Sequence, residues 1–347
     1  MKNPPAAPNP IPPSSTPPRV AVVGCGYWGK NLVRNFHALD ALRLVIDATP
    51  VGRATAATLA PDVECLADFD AVLTRSNIDA VVLATPAATH HALGLRILES
   101  GKDLFVEKPM ALETAHGIQL TATAARLGRI LQVDHLLEYH PAFTALRRLV
   151  AEGRFGRILR LHSHRLNFGK VRTEEDALWS LAPHDIAMLL RLAGRPPVSV
   201  TCTGHRALGT DRADTALALL DFGDGLQAHL FCSWLQPIKE QRLILVGEIA
   251  MAVFDDTAPP DRRLALHTRR VIWDNSAPVL HDAPPEYPPL PAAEPLREAC
   301  AAFVRAVATR TPPLTDGISG LRVLAVLDAC RRSMLAAGAP IACVLPS

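Results

Sequence analysis

Three groups of residues in this 347-residue chain have the types and spacing to do chemistry. The first is Gly24-Cys25-Gly26-Tyr27-Trp28-Gly29, with Asp47 following at about the 20-residue interval of a dinucleotide site. Gly24 allows a tight turn, Gly26 lets the backbone approach a pyrophosphate, and Gly29 lets a helix pack close on a sheet. A carboxylate at Asp47 can accept both ribose hydroxyls and repels a 2′-phosphate, which favours NAD over NADP. A glycine turn that binds nothing is the competing reading. The second group is Glu107-Lys108-Pro109 at the end of an apolar run. Lys108 is either a cation held beside a cofactor or a surface lysine paired with Glu107. The third is Trp179-Ser180-Leu181-Ala182-Pro183-His184-Asp185. Pro183 restricts Ala182, and His184 opens an apolar helix, where an imidazole faces out of the core and suits a neutral base. A His-Asp capping pair without chemistry is the alternative.

The flanking patterns say what positions these groups. Apolar runs at Arg19–Val23, Leu42–Ile46, Val63–Leu66, Ile78–Ala84, Leu104–Val106 and Ile130–Val133 read as strands. Helical patterns at Gly52–Ala60, Asp68–Thr74, His90–Ser100 and Thr114–Leu127 alternate with them. Such β–α alternation predicts a doubly wound parallel sheet, with ligands at the carboxyl ends of its strands. The loops after Ala84 (Thr85-Pro86 to His90), Val106 and Val133 (Asp134-His135) then open on one edge. From Ile158 the pattern changes. Strands cluster at Ile158–Leu166, Val198–Thr203, Thr215–Asp221, Leu226–Trp234, Arg242–Gly247 and Met251–Asp255, with one embedded helix, His184–Leu192. This predicts an α/β domain with a mixed, largely antiparallel open sheet. Phe222-Gly223-Asp224-Gly225 reads as a hairpin turn. Pro295–Thr309 and Ile318–Leu335 read as helices packing back on the first domain. The expected organisation is a disordered Pro-rich tail over 1–18, a Rossmann domain over 19–138, a substrate and oligomerisation domain over 139–335 and a tail over 336–347.

Composition excludes several classes. The net charge is +2 and the basic residues are scattered, so no nucleic-acid face is expected; Arg262-Arg263 and Arg269-Arg270 read as a solvated hairpin. Seven dispersed cysteines without a CxxC fit reduced thiols in the cytoplasm. No apolar run approaches a membrane span. His90-His91, His162 and His164 lack a carboxylate or thiolate at ligand spacing, so no metal is expected.

AVVGCGYWGKNLVRNF, AVVLATPAATHHALGLRILESGKDLFVEKPMAL and SLAPHDIAML together resemble the Gfo/Idh/MocA family of oxidoreductases. The resemblance implies hydride transfer between NAD and a ring hydroxyl of a sugar or cyclitol, with Lys108 and His184 as the catalytic pair. It implies cofactor contacts from Gly24, Gly26, Tyr27, Trp28, Gly29, Asp47, Thr85, Pro86, His90, Glu107 and Lys108. It also implies a homo-oligomer, dimer or tetramer, formed through the C-terminal sheet. Within the family, Asn167–Ile186 and Ser233–Gly247 are similar to the branch that oxidises C3 of UDP-N-acetylglucosamine-type nucleotide sugars. A PLP aminotransferase would then consume the 3-keto product. A diphosphate needs cations, for which Arg165, Arg172, Lys239 and Arg242 are candidates. Asn167, Trp179 and Gln236 either contact the sugar or base or pack. Many members carry Asp four residues before the histidine, where this chain has Ser180; Asp185 could orient the imidazole instead, or Ser180 could bind a sugar hydroxyl. An inositol or free-sugar dehydrogenase and a non-catalytic NAD-binding regulator are the alternatives.

Overall fold

The computed structural model describes residues 17–169 and 171–344, so the Pro-rich stretch through residue 16 lies outside the described residues. The chain divides into two compact units, Met1–Leu136 with Glu294–Leu324, and Leu137–Ala293 with Ala325–Ser347.

The first unit runs β1 (Val20–Val23), α1 (Gly29–Ala38), β2 (Leu42–Ile46), α2 (Pro50–Leu59), β3 (Glu64–Leu66), α3 (Asp70–Thr74), β4 (Ala80–Leu83), α4 (Ala87–Glu99), β5 (Asp103–Val106), α5 (Thr114–Arg126) and β6 (Leu131–Val133). Its six strands pair in parallel in the order β3-β2-β1-β4-β5-β6. β1, β4 and β5 are buried at every residue, as a sheet covered on both faces requires. The order reverses between β1 and β4, which opens a crevice at the carboxyl ends of those strands.

The second unit contains α6 (Pro141–Ala151), β7 (Ile158–Phe168), α7 (Ala177–Leu181), α8 (Pro183–Ala193), β8 (Ser199–His205), β9 (Thr215–Asp221), β10 (Gln227–Ser233), β11 (Leu235–Gly247), β12 (Met251–Asp255), β13 (Leu264–His267), β14 (Arg270–Asp274) and β15 (Ala277–His281). Eight strands form one sheet in the order β13-β12-β11-β7-β10-β9-β8-β16, where β16 is Ile341–Ala342. All neighbours are antiparallel except β7 and β10. The strands alternate buried and half-exposed residues, the period-2 signature of a sheet with one covered face. α7 and α8 supply part of that cover, packing on β9, β10 and β7.

α9 (Pro295–Thr309) and the start of α10 (Gly317–Leu335) cluster with the first unit, although the sequence reading placed them in a domain spanning 139–335. The contacts give the reason. Phe303 joins Phe36 and Phe105 in an edge-to-face trio, with ring centroids 5.5–6.3 Å apart. Gln132 Nε2 donates to the Ala299 carbonyl at 3.0 Å. Arg310 holds buried Asp103 through both terminal nitrogens, at 2.5 and 2.9 Å. Elsewhere most elements match the apolar runs to within a few residues, but α6, α7 and β13 form where no element was expected and β11 begins at Leu235 rather than Arg242. The expected hairpin at the arginine pairs is displaced: β14 and β15 turn at Asn275-Ser276, both at positive φ, while Arg262 lies in a 3-10 turn. β16 falls inside the expected C-terminal tail and completes the sheet edge on β8.

Candidate active site

The glycine turn joins β1 to α1. Gly24 has φ +97°, and a Cβ there would lie 2.6 Å from the Ala84 carbonyl oxygen. A Cβ on Gly29 would lie 2.1 Å from the Gly24 carbonyl oxygen, so these two positions let α1 approach the sheet. Gly26 differs: a Cβ there meets nothing within 4 Å. Its small size serves open space rather than packing. The first turn of α1 has no side-chain cap; its Lys30 and Asn31 N–H groups donate to the Gly26 and Trp28 carbonyls. Tyr27 is 78% exposed, beneath the Lys30 ammonium.

Asp47, at the end of β2, fixes the far side of the turn. Its Oδ2 accepts the Cys25 N–H at 2.7 Å, and its Oδ1 accepts the Thr49 N–H and hydroxyl at 2.8 and 2.7 Å. Burial pushes its pKa up, but these donors and the Arg53 charge outweigh burial and hold it below the ordinary value. A carboxylate offers about four lone-pair sites. With three engaged, Asp47 keeps room for one ribose hydroxyl, not the two expected. The open approach at Gly26 and this fixed carboxylate fit a dinucleotide.

One expected cofactor residue, His90, is engaged within the scaffold on both ring nitrogens. His90 is 1% exposed, and its Nε2 and Nδ1 lie 2.9 Å from the carbonyl oxygens of Thr85 and Pro109. It therefore braces the loop after β4 against the loop after β5. Glu107 is buried, and its Oε2 accepts the Lys108 N–H at 3.2 Å. Thr85 is tied to Thr89 through their hydroxyls at 2.7 Å, and Pro86 stands immediately before α4. Lys108 follows Glu107, and the Lys108–Pro109 peptide is cis.

In the second unit, Pro183 starts α8 and half-buried His184 follows it in the first turn. Ser180 is buried in α7. Asp185 does not turn towards the imidazole. It is buried, accepts the Ser163 hydroxyl at 2.5 Å and pairs with the Arg165 guanidinium. This corrects two expectations at once. Asp185 is committed to β7, and Arg165 is already neutralised beneath α8, so Arg165 is withdrawn from the diphosphate set. Arg242 is likewise engaged, by Glu240 and Asp255. Trp179 is 4% exposed and carries Arg331 over its ring at 5.7 Å, so it packs. Arg172 is exposed, 4.0 Å from Glu175. Lys239 is exposed in the bulged stretch of β11 between Leu235 and Glu240. Asn167 near the end of β7 keeps a buried Oδ1 with no hydrogen-bond partner among the described residues.

The sequence reading missed one arrangement. Val106 pairs with Val133, so Glu107 and Asp134 emerge side by side beyond the ends of β5 and β6. Each carboxylate directly after an apolar strand was visible; the adjacency of the two strands was not.

Comparison with known proteins agrees with this architecture. The family model for the Gfo/Idh/MocA oxidoreductases, described as having an NAD-binding Rossmann fold, matches residues 18–135. The model for the C-terminal domain of the same family matches residues 143–253. The UDP-N-acetylglucosamine 3-dehydrogenase of Acidithiobacillus ferrooxidans is 29% identical over 88% of this chain and 94% of its own length. A solved structure of that enzyme superposes with a TM-score of 0.78 at 28% identity, covering 92% of this chain and 98% of the other. An inositol 2-dehydrogenase of Burkholderia multivorans is 30% identical over 70% of this chain and 74% of its own length. Among the described residues, no helix is long and apolar enough to cross a membrane. With its glycine turn, its fixed carboxylate at Asp47 and both family domains matched in order, the chain belongs to the Gfo/Idh/MocA family of NAD-binding oxidoreductases.

Proposed function

We propose that the protein oxidises a ring hydroxyl of a nucleotide sugar to a ketone, at C3 of a UDP-N-acetylglucosamine-type substrate. The observation that carries this reading is the similarity to the Acidithiobacillus ferrooxidans 3-dehydrogenase, which extends through 94% of that enzyme and includes both domains. When bound, NAD supplies the hydride acceptor. His184 takes the hydroxyl proton, and Lys108 hydrogen-bonds the same oxygen as it becomes an alkoxide. With Arg165 and Arg242 engaged elsewhere, Arg172 and Lys239 remain the candidate diphosphate cations, and Asn167 and Ser180 the candidate sugar contacts.

Alcohol oxidation by NAD is uphill at neutral pH, so the reading includes removal of the 3-keto sugar by a PLP aminotransferase. It also includes action in the cytoplasm, where all seven thiols stay reduced, and assembly of copies through the half-exposed face of the eight-stranded sheet. Leu217, 54% exposed, and Phe231 contribute to that face. The similarity to inositol 2-dehydrogenase supports a second reading on the same scaffold, oxidation of inositol or a free sugar.

The test is NADH absorbance with a panel of UDP-sugars and inositols, each with and without a coupled aminotransferase and amino donor. Turnover with UDP-N-acetylglucosamine that rises on coupling supports the first reading. Turnover with inositol alone overturns it in favour of the second. Cofactor binding without turnover on any of them would make the protein a non-catalytic NAD-binding regulator.

A further inference from the structure

We infer that Glu107 and Asp134 form a carboxyl pair sharing one proton, and that its single negative charge sets the preference of the NAD site for the oxidised over the reduced cofactor. The inference needs the NAD site alone and stands whichever alcohol is oxidised.

The pairing follows from the fold. β5 and β6 are parallel neighbours with Val106 opposite Val133, so the next residue of each strand carries a carboxyl into the same small volume. Glu107 is 8% exposed and Asp134 is 0% exposed. Among the described residues, neither Glu107 Oε1 nor either oxygen of Asp134 is met by a hydrogen bond of full geometry, and the Trp28 indole N–H is the neighbouring donor that acts on both carboxyls. Three buried carboxyl oxygens served by one indole are costly unless a proton lies between them. Glu107 is the protonated member. Burial pushes it well above the ordinary carboxyl value, and the neighbouring Asp134 pushes it further. Burial also pushes Asp134 up, to about 6, against the pull of the Glu107 hydroxyl, the Trp28 indole N–H and Lys108. Two carboxyls this close cannot both ionise. The pair therefore carries one charge at neutral pH and none well below pH 6.

Its place gives that charge a target. Asp47 stands at the end of β2, on one side of the strand-order reversal, and the pair stands beyond it at β5 and β6. A dinucleotide spanning such a crevice puts one nucleotide half on each side. With its ribose at Asp47, the nicotinamide half falls on the side of the pair. The oxidised ring is a cation and the reduced ring is neutral, so a buried anion discriminates between them. Trp28 belongs to the glycine turn, so the same indole links the phosphate loop to the pair.

The other titratable groups that act on the pair are Lys108 and Cys300 of α9. Burial, with Asp134 and Glu107 adding to it, pushes the Cys300 thiol well above its ordinary value, so it stays neutral. Buried His135 follows Asp134 directly in the chain and is therefore the control.

The experiment is calorimetric titration of the full-length protein with NAD⁺ and with NADH between pH 5 and pH 8, in buffers of different ionisation enthalpy. One unit of pKa change on binding is a tenfold change in affinity. Affinity for NAD⁺ should fall about tenfold from pH 8 to pH 5, with a proton released on binding near pH 6, while NADH binding stays nearly flat. Asp134→Asn should flatten the NAD⁺ curve and shrink the preference. Glu107→Gln should keep the preference, because its amide donates to an Asp134 that remains ionised to lower pH. His135→Gln should change neither. The same pH dependence for both cofactors in the wild type would overturn the inference even if no variant folded. So would a proton release that survives Asp134→Asn or disappears with His135→Gln.

Discussion

Asp47 Oδ2 accepts the backbone N–H of Cys25 at 2.7 Å, so the carboxylate proposed to hold the ribose also fixes the glycine turn. A hydrogen bond to a charged group contributes about 1.5–3 kcal/mol, or roughly 10- to 100-fold in affinity. Asp47→Ala should weaken NAD by that factor and raise the NADP-to-NAD affinity ratio, because the anion that repels a 2′-phosphate is gone. Titration of the variant with both cofactors checks this. An unchanged ratio would remove Asp47 from cofactor selection.

The glycines of the turn separate by what surrounds them. Gly29→Ala drives a methyl into the Gly24 carbonyl, and overpacking of this kind costs about 1–3 kcal/mol. Thermal melts should drop by roughly 2–10 °C. Gly26→Ala meets no protein atom, so its melting temperature should hold while NAD affinity falls at least tenfold. Equal melting losses in the two variants would contradict this division of roles.

The glycine turn, Asp47 and the strand-end position of Lys108 were legible because each depends on a local pattern: strand, turn and helix within one βαβ unit. That the last helices pack back on the first domain was legible too, but not the residues that hold them there, because Phe303 meets Phe36 and Arg310 meets Asp103 across most of the chain. The role of Arg165 was misread for the same reason. An arginine alternating along a strand is silent about which sheet face is covered, and α8 covers this one with Asp185. α6 was also missed, although Phe143, Leu146 and Leu149 carry its buried stripe.

Arg165 and Asp185 should behave as a buried ion pair. Removing one partner leaves an uncompensated charge and costs about 3–5 kcal/mol, whereas replacing both with apolar residues of similar volume is often neutral. Arg165→Met should therefore lower the urea midpoint sharply, and Arg165→Met/Asp185→Leu should recover much of the loss. If Arg165→Met instead left stability intact and raised KM for a UDP-sugar selectively, the arginine would return to the diphosphate set.

Lys108→Met and His184→Ala test the proton chemistry. A positioned acid or base contributes about 10²–10⁴ in rate, so each variant should lose that much in kcat, and His184→Ala should still bind NAD normally. Near-normal turnover in both variants would end their assignment to the reacting hydroxyl.

The carboxyl pair also predicts how stability responds to pH. Asp134 titrates near 6 in the folded protein against an ordinary 3.8, so the folded state holds the proton more tightly. Its contribution is then fully present below about pH 3.8 and is lost as pH rises through 6. Two units correspond to roughly 3 kcal/mol. Carboxylates held low by donors, such as Asp79 beside Arg19, act in the opposite direction, so the wild-type curve alone is not diagnostic. The difference between wild type and Asp134→Asn removes their contribution. Asn cannot ionise, so the variant should gain on the wild type by about that amount as pH rises from 4 to 7, read from urea midpoints at fixed temperature. A constant difference across that window would mean that Asp134 ionises as readily in the folded chain as in the unfolded one, and the shared proton would have to lie elsewhere.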